Sequence, residues 1–302
     1  MVNGLPDSPD SSSRLAPGRC LTFMKRFHQG GQRIVAMLSL VALAFTASAE
    51  SLAQASPKPL TQAHSHNDYQ QPRPLEDALA QGFCSVEADI FLVGEDLLVG
   101  HYKSDLKPGR TLQALYLEPL KKRVLANRGR VYAGGPTFHL LIELKTESEQ
   151  IYKRLKEVLK GYQDLLTRFD QDRTTLGAIS ITLSGDRPKQ ILLTENPRWA
   201  AYDGNLDDMG KGISVHQMPL VSANWAASFK WRGLGDFPEE ERAKLAGFVA
   251  QAHKDKHRLR FWGAPDIEPA WRELQKAGVD LINTDHLPEL ARFLNASNPA
   301  AQ

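Results

Sequence analysis

Apolar positions along this chain switch repeatedly between two spacings, and each switch marks an element. Short apolar runs with two-residue alternation read as strands, and spacing by three and four reads as helix. Strands are predicted over residues 60–63, 85–91, 138–144, 178–183, 199–202, 258–262 and 279–283, with one more between 212 and 221. A short ribbon over 97–99 follows the Gly94-Glu95-Asp96 turn. Pro74 opens a helix with Leu75, Ala78 and Leu79 on one face and Gly82 as its stop. Further helices are predicted over 111–126, 238–254, 267–277 and 287–294. Another carries Ile151, Leu155, Val158, Leu159, Tyr162 and Leu166 on one face, behind a capping box at Thr146-Glu147-Ser148-Glu149. Strand and helix alternate roughly eight times, the pattern of an α/β fold whose parallel sheet closes into a (β/α)8 TIM barrel. Right-handed crossovers place every strand's C-terminal end on one face, so polar residues at those ends should meet at a single mouth.

The first residues read as an address rather than as part of that fold. Lys25, Arg26 and Arg33 precede an apolar run over 34–45 and then Ala47-Ser48-Ala49. A basic stretch, an apolar stretch and a small-residue cleavage site make a signal peptide. The run is too short to span a bilayer. Met24 reads as a natural start, which makes 1–23 an upstream extension. The expectation is therefore a leader over 1–49, export to the periplasm or the exterior after cleavage near Ala49, a flexible segment over 50–59, a barrel over 60–296 and a tail over 297–302. What remains after cleavage has the length of one such barrel, typically about 250 residues.

Charge and cysteine content narrow the class further. The formal net charge is +2, but Arg14, Arg19, Lys25, Arg26 and Arg33 lie in the leader against only Asp7 and Asp10. The remainder is close to neutral, which excludes the basic surface of a nucleic-acid binder. Cys20 leaves with the leader, so Cys84 stands alone in an apolar strand, without a disulfide partner and as a small packed residue.

Chemistry collects at the predicted strand ends. In Ser85-Val86-Glu87-Ala88-Asp89-Ile90-Phe91 the two-residue period puts both carboxylates on one face and Val86, Ala88 and Ile90 on the other. Two acids side by side on a strand repel, and a bound cation removes the objection; oxygen ligands suit Mg²⁺ or Ca²⁺ rather than zinc. Glu143 and Lys145 share a face in the same way at the end of the next strand. His64 and His66 follow the first strand, His101 follows the ribbon, Trp262 ends the seventh strand as a pocket wall, and Asp285 follows the last strand as a helix cap. His139, His216, His253, His257 and His286 read as surface or packing residues. Trp225, Phe229 and Trp231 read as aromatic core, with a lipid-facing rim as the alternative.

Seven stretches carry a family resemblance: HSHNDY at 64–69, PLEDALAQGF at 74–83, SVEADIFL at 85–92, LLVGH at 97–101, LLIELKT at 140–146, RFWGAPD at 260–266 and GVDLINTD at 278–285. Together they resemble the superfamily of phosphatidylinositol-specific phospholipases C and glycerophosphodiester phosphodiesterases, and within it the group related to altered inheritance of mitochondria protein 6. The resemblance implies a metal-dependent phosphoric diester hydrolase of the same barrel type, with Glu87, Asp89 and Glu143 as ligands of a divalent cation, Mg²⁺ or Ca²⁺. It implies His64 as the first catalytic histidine, with His66 as its alternative or brace, His101 as the second, and Lys145 on the phosphate. The expected partner is a small glycerophosphodiester or phospholipid-type substrate, cleaved by way of a cyclic phosphate, with at most transient contact with a membrane surface and no nucleic acid. Four departures accompany the match, one of them a reduced insertion after the second strand. His64-Ser65-His66 stands where the family has His-Arg-Gly, which removes a phosphate arginine and leaves Arg187 and Arg232 as substitutes. A Pro-Glu-Asn-Thr stretch is missing, with Asn67 as a partial replacement, and Tyr102 stands where an aspartate follows the second histidine.

Two rivals follow from the same residues. A zinc amidohydrolase also places His-x-His after its first strand, but gives the paired acids and the Glu143–Lys145 pair no role. A barrel that binds without turnover is compatible with the missing arginine, although both histidines and all three acids are retained.

Overall fold

Eight parallel strands pair in a ring. In the computed structural model, which describes residues 57–297, they are β1 (Leu60–Ser65), β2 (Phe83–Val93), β4 (Phe138–Leu144), β7 (Ile179–Gly185), β8 (Ala201–Gly204), β9 (Leu220–Asn224), β10 (Arg258–Trp262) and β11 (Leu281–Thr284). Pairing of β1 with both β2 and β11 closes the barrel. β3 (Asp96–Val99) folds back antiparallel on β2, and β5 (Arg168–Phe169) pairs with β6 (Thr174–Thr175) as a separate hairpin. The predicted leader over 1–49 with its cleavage point at Ala49, residues 50–56 of the predicted flexible segment, and the tail beyond 297 lie outside the described residues.

The helices are α1 (Glu76–Ala80), α2 (Glu118–Ala126), α3 (Ser148–Leu159), α4 (Lys189–Thr194), α5 (Trp225–Ser228), α6 (Glu239–Lys254), α7 (Glu268–Ala277) and α8 (Leu287–Ser297). Their ends follow local chemistry. Glu239, Glu240 and Glu241 open α6, and His253 and Lys254 close it, matching the helix dipole at both ends. Gly278 ends α7 at φ 85, a conformation open to a residue without Cβ. Several expectations are corrected. No side-chain capping box forms at Thr146: α3 is entered through Glu147 at φ 51, with no side-chain cap bond. The helix stops at Leu159 and continues only as a 3₁₀ stretch to Leu165. The region before α2 starts as a π-turn over Gln113–Leu117. Between β8 and β9 a 3₁₀ turn over Leu206–Asp208 replaces a helix, and β9 falls later than the sequence pattern placed it.

Each barrel strand divides its side chains between two environments, as its two-residue period requires. On β2, Val86, Ala88 and Ile90 join the main apolar core beneath the helices. Trp225, Phe229 and Trp231 also belong to that core, stacked with Phe237 and Phe261, which settles the choice against a lipid-facing rim. Inside the barrel the apolar share is small: Leu141, Leu220 and Leu281 form their own cluster. Much of the remaining lining is buried and polar, including His64, Ser85, Glu87, His139, Thr182 and Arg260. Cys84 is a buried free thiol, as expected.

The loop after β1 is fixed by one carboxylate. Asp68, fully buried, accepts from Ser65 Oγ at 2.7 Å, from the Leu75 backbone N–H at 2.6 Å and from Tyr116 Oη at 3.0 Å. The Leu75 bond holds a residue at positive φ (φ 64) at the entry to α1. Burial raises Asp68 to about 6 despite these three donors. Asp68→Ala would leave the donors unsatisfied, and we expect a loss of about 3 kcal/mol of unfolding free energy. Urea denaturation measures it, and a loss below about 1 kcal/mol contradicts the anchoring role.

Candidate active site

Strand register brings three acids together. Asp89 of β2 lies directly beside Glu143 of β4, and Glu87 lies one lumen position below Asp89. One carboxylate oxygen from each of Glu87, Asp89 and Glu143 falls within 4.8 Å of the others. Gly185 makes room for this pairing, because a Cβ there would stand 2.5 Å from Glu143 Cγ and from the Leu144 carbonyl.

Two cations answer the three anions. Arg260 Nη2 donates to Glu87 Oε2 at 2.8 Å, and both side chains are about 3% exposed. Lys145 Nζ donates to Asp89 Oδ2 at 3.1 Å and to Glu143 Oε1 at 2.8 Å. Burial opposes ionisation of Glu87, but Arg260 and His64 hold it well below the ordinary carboxylate range. Asp89 goes the other way: burial, then the charges of Glu87 and Glu143, push it up to about 6. Burial alone would lower Lys145, yet its two carboxylate partners raise it. One negative charge is left over, and Asp89 Oδ1 is buried without a hydrogen-bond partner. An all-oxygen donor set, excess negative charge and an orphaned carboxylate oxygen fit a hard divalent cation.

The three predicted histidines occupy different positions. His101 reaches Asp89 Oδ2 with Nδ1 at 3.1 Å. Tyr69 Oη lies among Asn67 Oδ1 (2.6 Å), Asp89 Oδ2 (2.7 Å) and His101 Nδ1 (3.1 Å), and burial followed by the charge of Asp89 keeps its phenol protonated. His64 is fully buried. Its Nδ1 meets Ser85 Oγ at 2.7 Å and its Nε2 faces Glu87 Oε2 at 3.3 Å. Burial and the positive charge of Arg260 lower it to about 4, so it is neutral at pH 7. His66 stands at the mouth with its side chain 26% exposed, and its Nδ1 is 2.9 Å from Asp285 Oδ1. Burial lowers His66, but the bond to Asp285 and the charge of Glu87 turn the net shift upward. Among the described residues, no histidine belongs to the cluster of groups that could hold a metal ion.

Other predicted residues are placed as follows. Asn67 adopts a left-handed conformation (φ 46) and brings Nδ2 within 3.4 Å of the His66 ring. Trp262 is 42% exposed and lines a cavity at the ends of β7 to β10 together with Arg187. Arg232 donates to the carbonyls of Phe229 and Trp231 and so braces a loop. The carboxylate of Asp285 meets His66, which replaces the predicted cap with an orienting contact.

Sequence reasoning missed four participants. Arg260 was findable, because Arg258, Arg260 and Trp262 share a face of β10 by the same period that paired Glu87 with Asp89. Tyr69 sat inside the HSHNDY stretch without being singled out. Ser85 and His139 form a chain beneath the acids: Ser85 Oγ lies 2.9 Å from His139 Nδ1, and His139 Nε2 lies 2.9 Å from Thr182 Oγ1. His139 is thus an interior member of the polar lumen.

Fold and site together define a (β/α)8 barrel of the glycerophosphodiester phosphodiesterase and phospholipase C type. A family model described as the AIM6-like phosphodiesterase domain matches residues 54–203, and one for the glycerophosphoryl diester phosphodiesterase family matches residues 258–288. Altered inheritance of mitochondria protein 6 of Eremothecium gossypii is 31% identical over 270 residues, covering 78% of this chain and 69% of that protein. The homolog of that protein in Arthroderma benhamiae is 28% identical over 257 residues, covering 74% of this chain and 80% of its own. The chain belongs to the AIM6-like phosphodiesterase domain family. Among solved structures, a calcium-dependent phosphoinositol-specific phospholipase C from a Gram-negative Pseudomonas species superposes with a TM-score of 0.50 at 12% identity, over 78% of this chain and 93% of that one, a likeness of fold.

Burial, its largest cause, pushes His139 well below its ordinary value and His64 to about 4, so both stay neutral in the fold. The unfolded chain protonates them near 6.5. Their contribution to stability is complete above that value and is lost as pH falls below it. Asp68, Asp89 and Asp203, each raised to about 6, act in the opposite sense over the same range, so a difference measurement is needed. His139→Gln should reduce the acid-induced loss of unfolding free energy by up to about 2 kcal/mol between pH 7 and pH 5. Urea titrations at each pH would read this, and parallel profiles for wild type and variant would contradict a neutral, buried His139.

Proposed function

We propose that the protein is a divalent-cation-dependent phosphoric diester hydrolase acting on a glycerophosphodiester or phospholipid-type substrate. The observation that carries the reading is the orphaned Asp89 Oδ1 within a cluster of three carboxylates, with His66 and His101 held by separate carboxylates beside it. Glu87, Asp89 and Glu143 would hold Mg²⁺ or Ca²⁺, which would supply positive charge against the negative charge developing on phosphoryl oxygens. Lys145, which pairs with Asp89 and Glu143, would contact the phosphate.

Proton transfer falls to the imidazoles. His66 is oriented by Asp285 and open to the mouth, so it fits acid–base work better than the fully buried His64. His101 shares Asp89 Oδ2 with Lys145 and supplies the second imidazole. One takes a proton from the attacking hydroxyl and the other gives one to the leaving oxygen. By the family likeness the attacking hydroxyl belongs to the substrate, and a cyclic phosphate forms before water opens it. The leader read in the sequence adds an exported, periplasmic or secreted location, with a small-molecule substrate and no nucleic acid.

Purified mature protein, assayed on glycerophosphodiesters, lysophospholipids and an aryl phosphodiester, should lose activity to chelation and regain it with Mg²⁺ or Ca²⁺. Removing a general acid or base typically costs about 10²–10⁴-fold, so His66→Ala and His101→Ala should each lower kcat in that range, with His64→Ala acting through stability as well. Chelation-insensitive hydrolysis, or full activity in Glu87→Gln, contradicts the reading. Zinc-dependent amide hydrolysis would point to the amidohydrolase rival, and substrate binding without turnover to a non-catalytic barrel.

A further inference from the structure

A cavity of about 570 Å³ lies at the N-terminal ends of β1, β2, β4 and β10, the end of the barrel opposite the acids, lined among others by Cys84, Arg130, Thr137, His139, Arg258 and Asp280. Its volume falls within the range of small-molecule sites, on a face that in this fold ordinarily serves stability. Arg258 stands one lumen position below Arg260 on β10. Arg260 is matched by Glu87, whereas Arg258 makes only a long contact from Nη2 to the Thr61 carbonyl at 3.5 Å. Arg130 Nη1 donates to the Gly177 carbonyl at 2.7 Å and to Thr137 Oγ1 at 3.2 Å. Both guanidiniums are therefore tethered by neutral groups. Nε and Nη2 of Arg130, and Nε and Nη1 of Arg258, have no partner among the described residues, and none of the four nitrogens is sealed from solvent.

The charge of the cavity is positive. Burial pushes the Cys84 thiol up to about 12 and His139 well below its ordinary value, so neither carries charge at pH 7. Asp280 is the one acid among the lining residues, and its Oδ2 already accepts from the Leu259 N–H at 2.8 Å and faces His253 Nε2 at 3.0 Å. Burial lowers Arg258, and the charge of Asp280 offsets this only in part. Two guanidiniums against one engaged carboxylate favour an anion. Guanidinium forks match the oxygens of carboxylates and phosphates. Four nitrogens are open here, and a terminal phosphate presents three oxygens where a carboxylate presents two. A bare phosphate would leave much of the volume unfilled, so the fitting ligand carries an organic part.

We propose that this cavity is a second ligand site, separate from the catalytic mouth, for the terminal phosphate of a small phosphomonoester, with Arg130 and Arg258 as its anion-binding pair. It rests on these residues alone and stands or falls apart from the phosphodiesterase reading. NMR of the full mature chain with nitrogen-15 arginine tests it, the side-chain Nε–H signals being assigned with Arg130→Lys and Arg258→Lys. Phenyl phosphate, inorganic phosphate, acetate and sodium chloride are the separate probes, at matched ionic strength. The Arg130 and Arg258 signals should move together along one saturable curve with phenyl phosphate, at least about tenfold tighter than with acetate. Each lysine variant keeps the charge and loses the fork, and should weaken that binding about tenfold, read on the arginine that remains. Lys145→Gln, at the other end of the barrel, should leave the curve unchanged. Shifts no larger than those from sodium chloride overturn the site and leave two arginines that serve the fold. Acetate binding as tight as phenyl phosphate overturns the ligand class, and full affinity in both lysine variants overturns the pair. Should a lysine variant fail to fold, the wild-type curves decide: saturation at both arginines supports the site, and its absence removes it.

Discussion

Like charges forced together in a partly dry cavity are the constraint around which this molecule is built. Glu87, Asp89 and Glu143 are brought within 4.8 Å by strand register alone, and two of them are shut off from water. Such a group is costly to bury unless it is matched. The neighbours supply the match in part: Arg260 from the far side of the ring, Lys145 from the same strand end, and Tyr69 and His101 through hydrogen bonds. The shortfall appears at Asp89, whose carboxyl is pushed up to about 6 and keeps one oxygen without a partner. A polar lumen in place of the usual layers of branched apolar side chains follows from the same need.

That field also sorts the imidazoles. His64 and His66 are separated by one residue, yet one ends a strand inside the barrel and the other leaves it for the loop. Burial and Arg260 keep His64 neutral between Ser85 and Glu87, whereas Asp285 and Glu87 raise His66 at the open mouth. Asp68 makes the difference durable, because it ties the loop carrying His66 and Tyr69 to α1 and to Tyr116.

Most of the barrel, and the acids at its mouth, were legible because both rest on local periodicity. A two-residue period names the face of Glu87, Asp89, Glu143 and Lys145 without any knowledge of their neighbours. Contacts across the ring were not legible in that way. Arg260 meets Glu87 from a strand 173 residues later, and Asp285 meets His66 across 219. His139 read as an ordinary packing residue, since nothing local ties it to Ser85 and Thr182. The errors in α3 and β9 have a local cause: Glu147 took a left-handed turn where a capping box was expected, and β9 followed a long irregular segment with little alternation. The period of β10 puts Arg260 on the lumen face, but nothing local shows that it meets Glu87.

Crystals of the mature protein soaked in Mn²⁺, with data collected at the manganese edge, bear most directly on whether the three acids meet around a cation. The expected result is a single anomalous peak bounded by Glu87, Asp89 and Glu143, with Asp89 Oδ1 among its ligands, and its loss in Asp89→Asn. Clean density with no ion at millimolar Mn²⁺, and Lys145 and Arg260 still on the carboxylates, would contradict it.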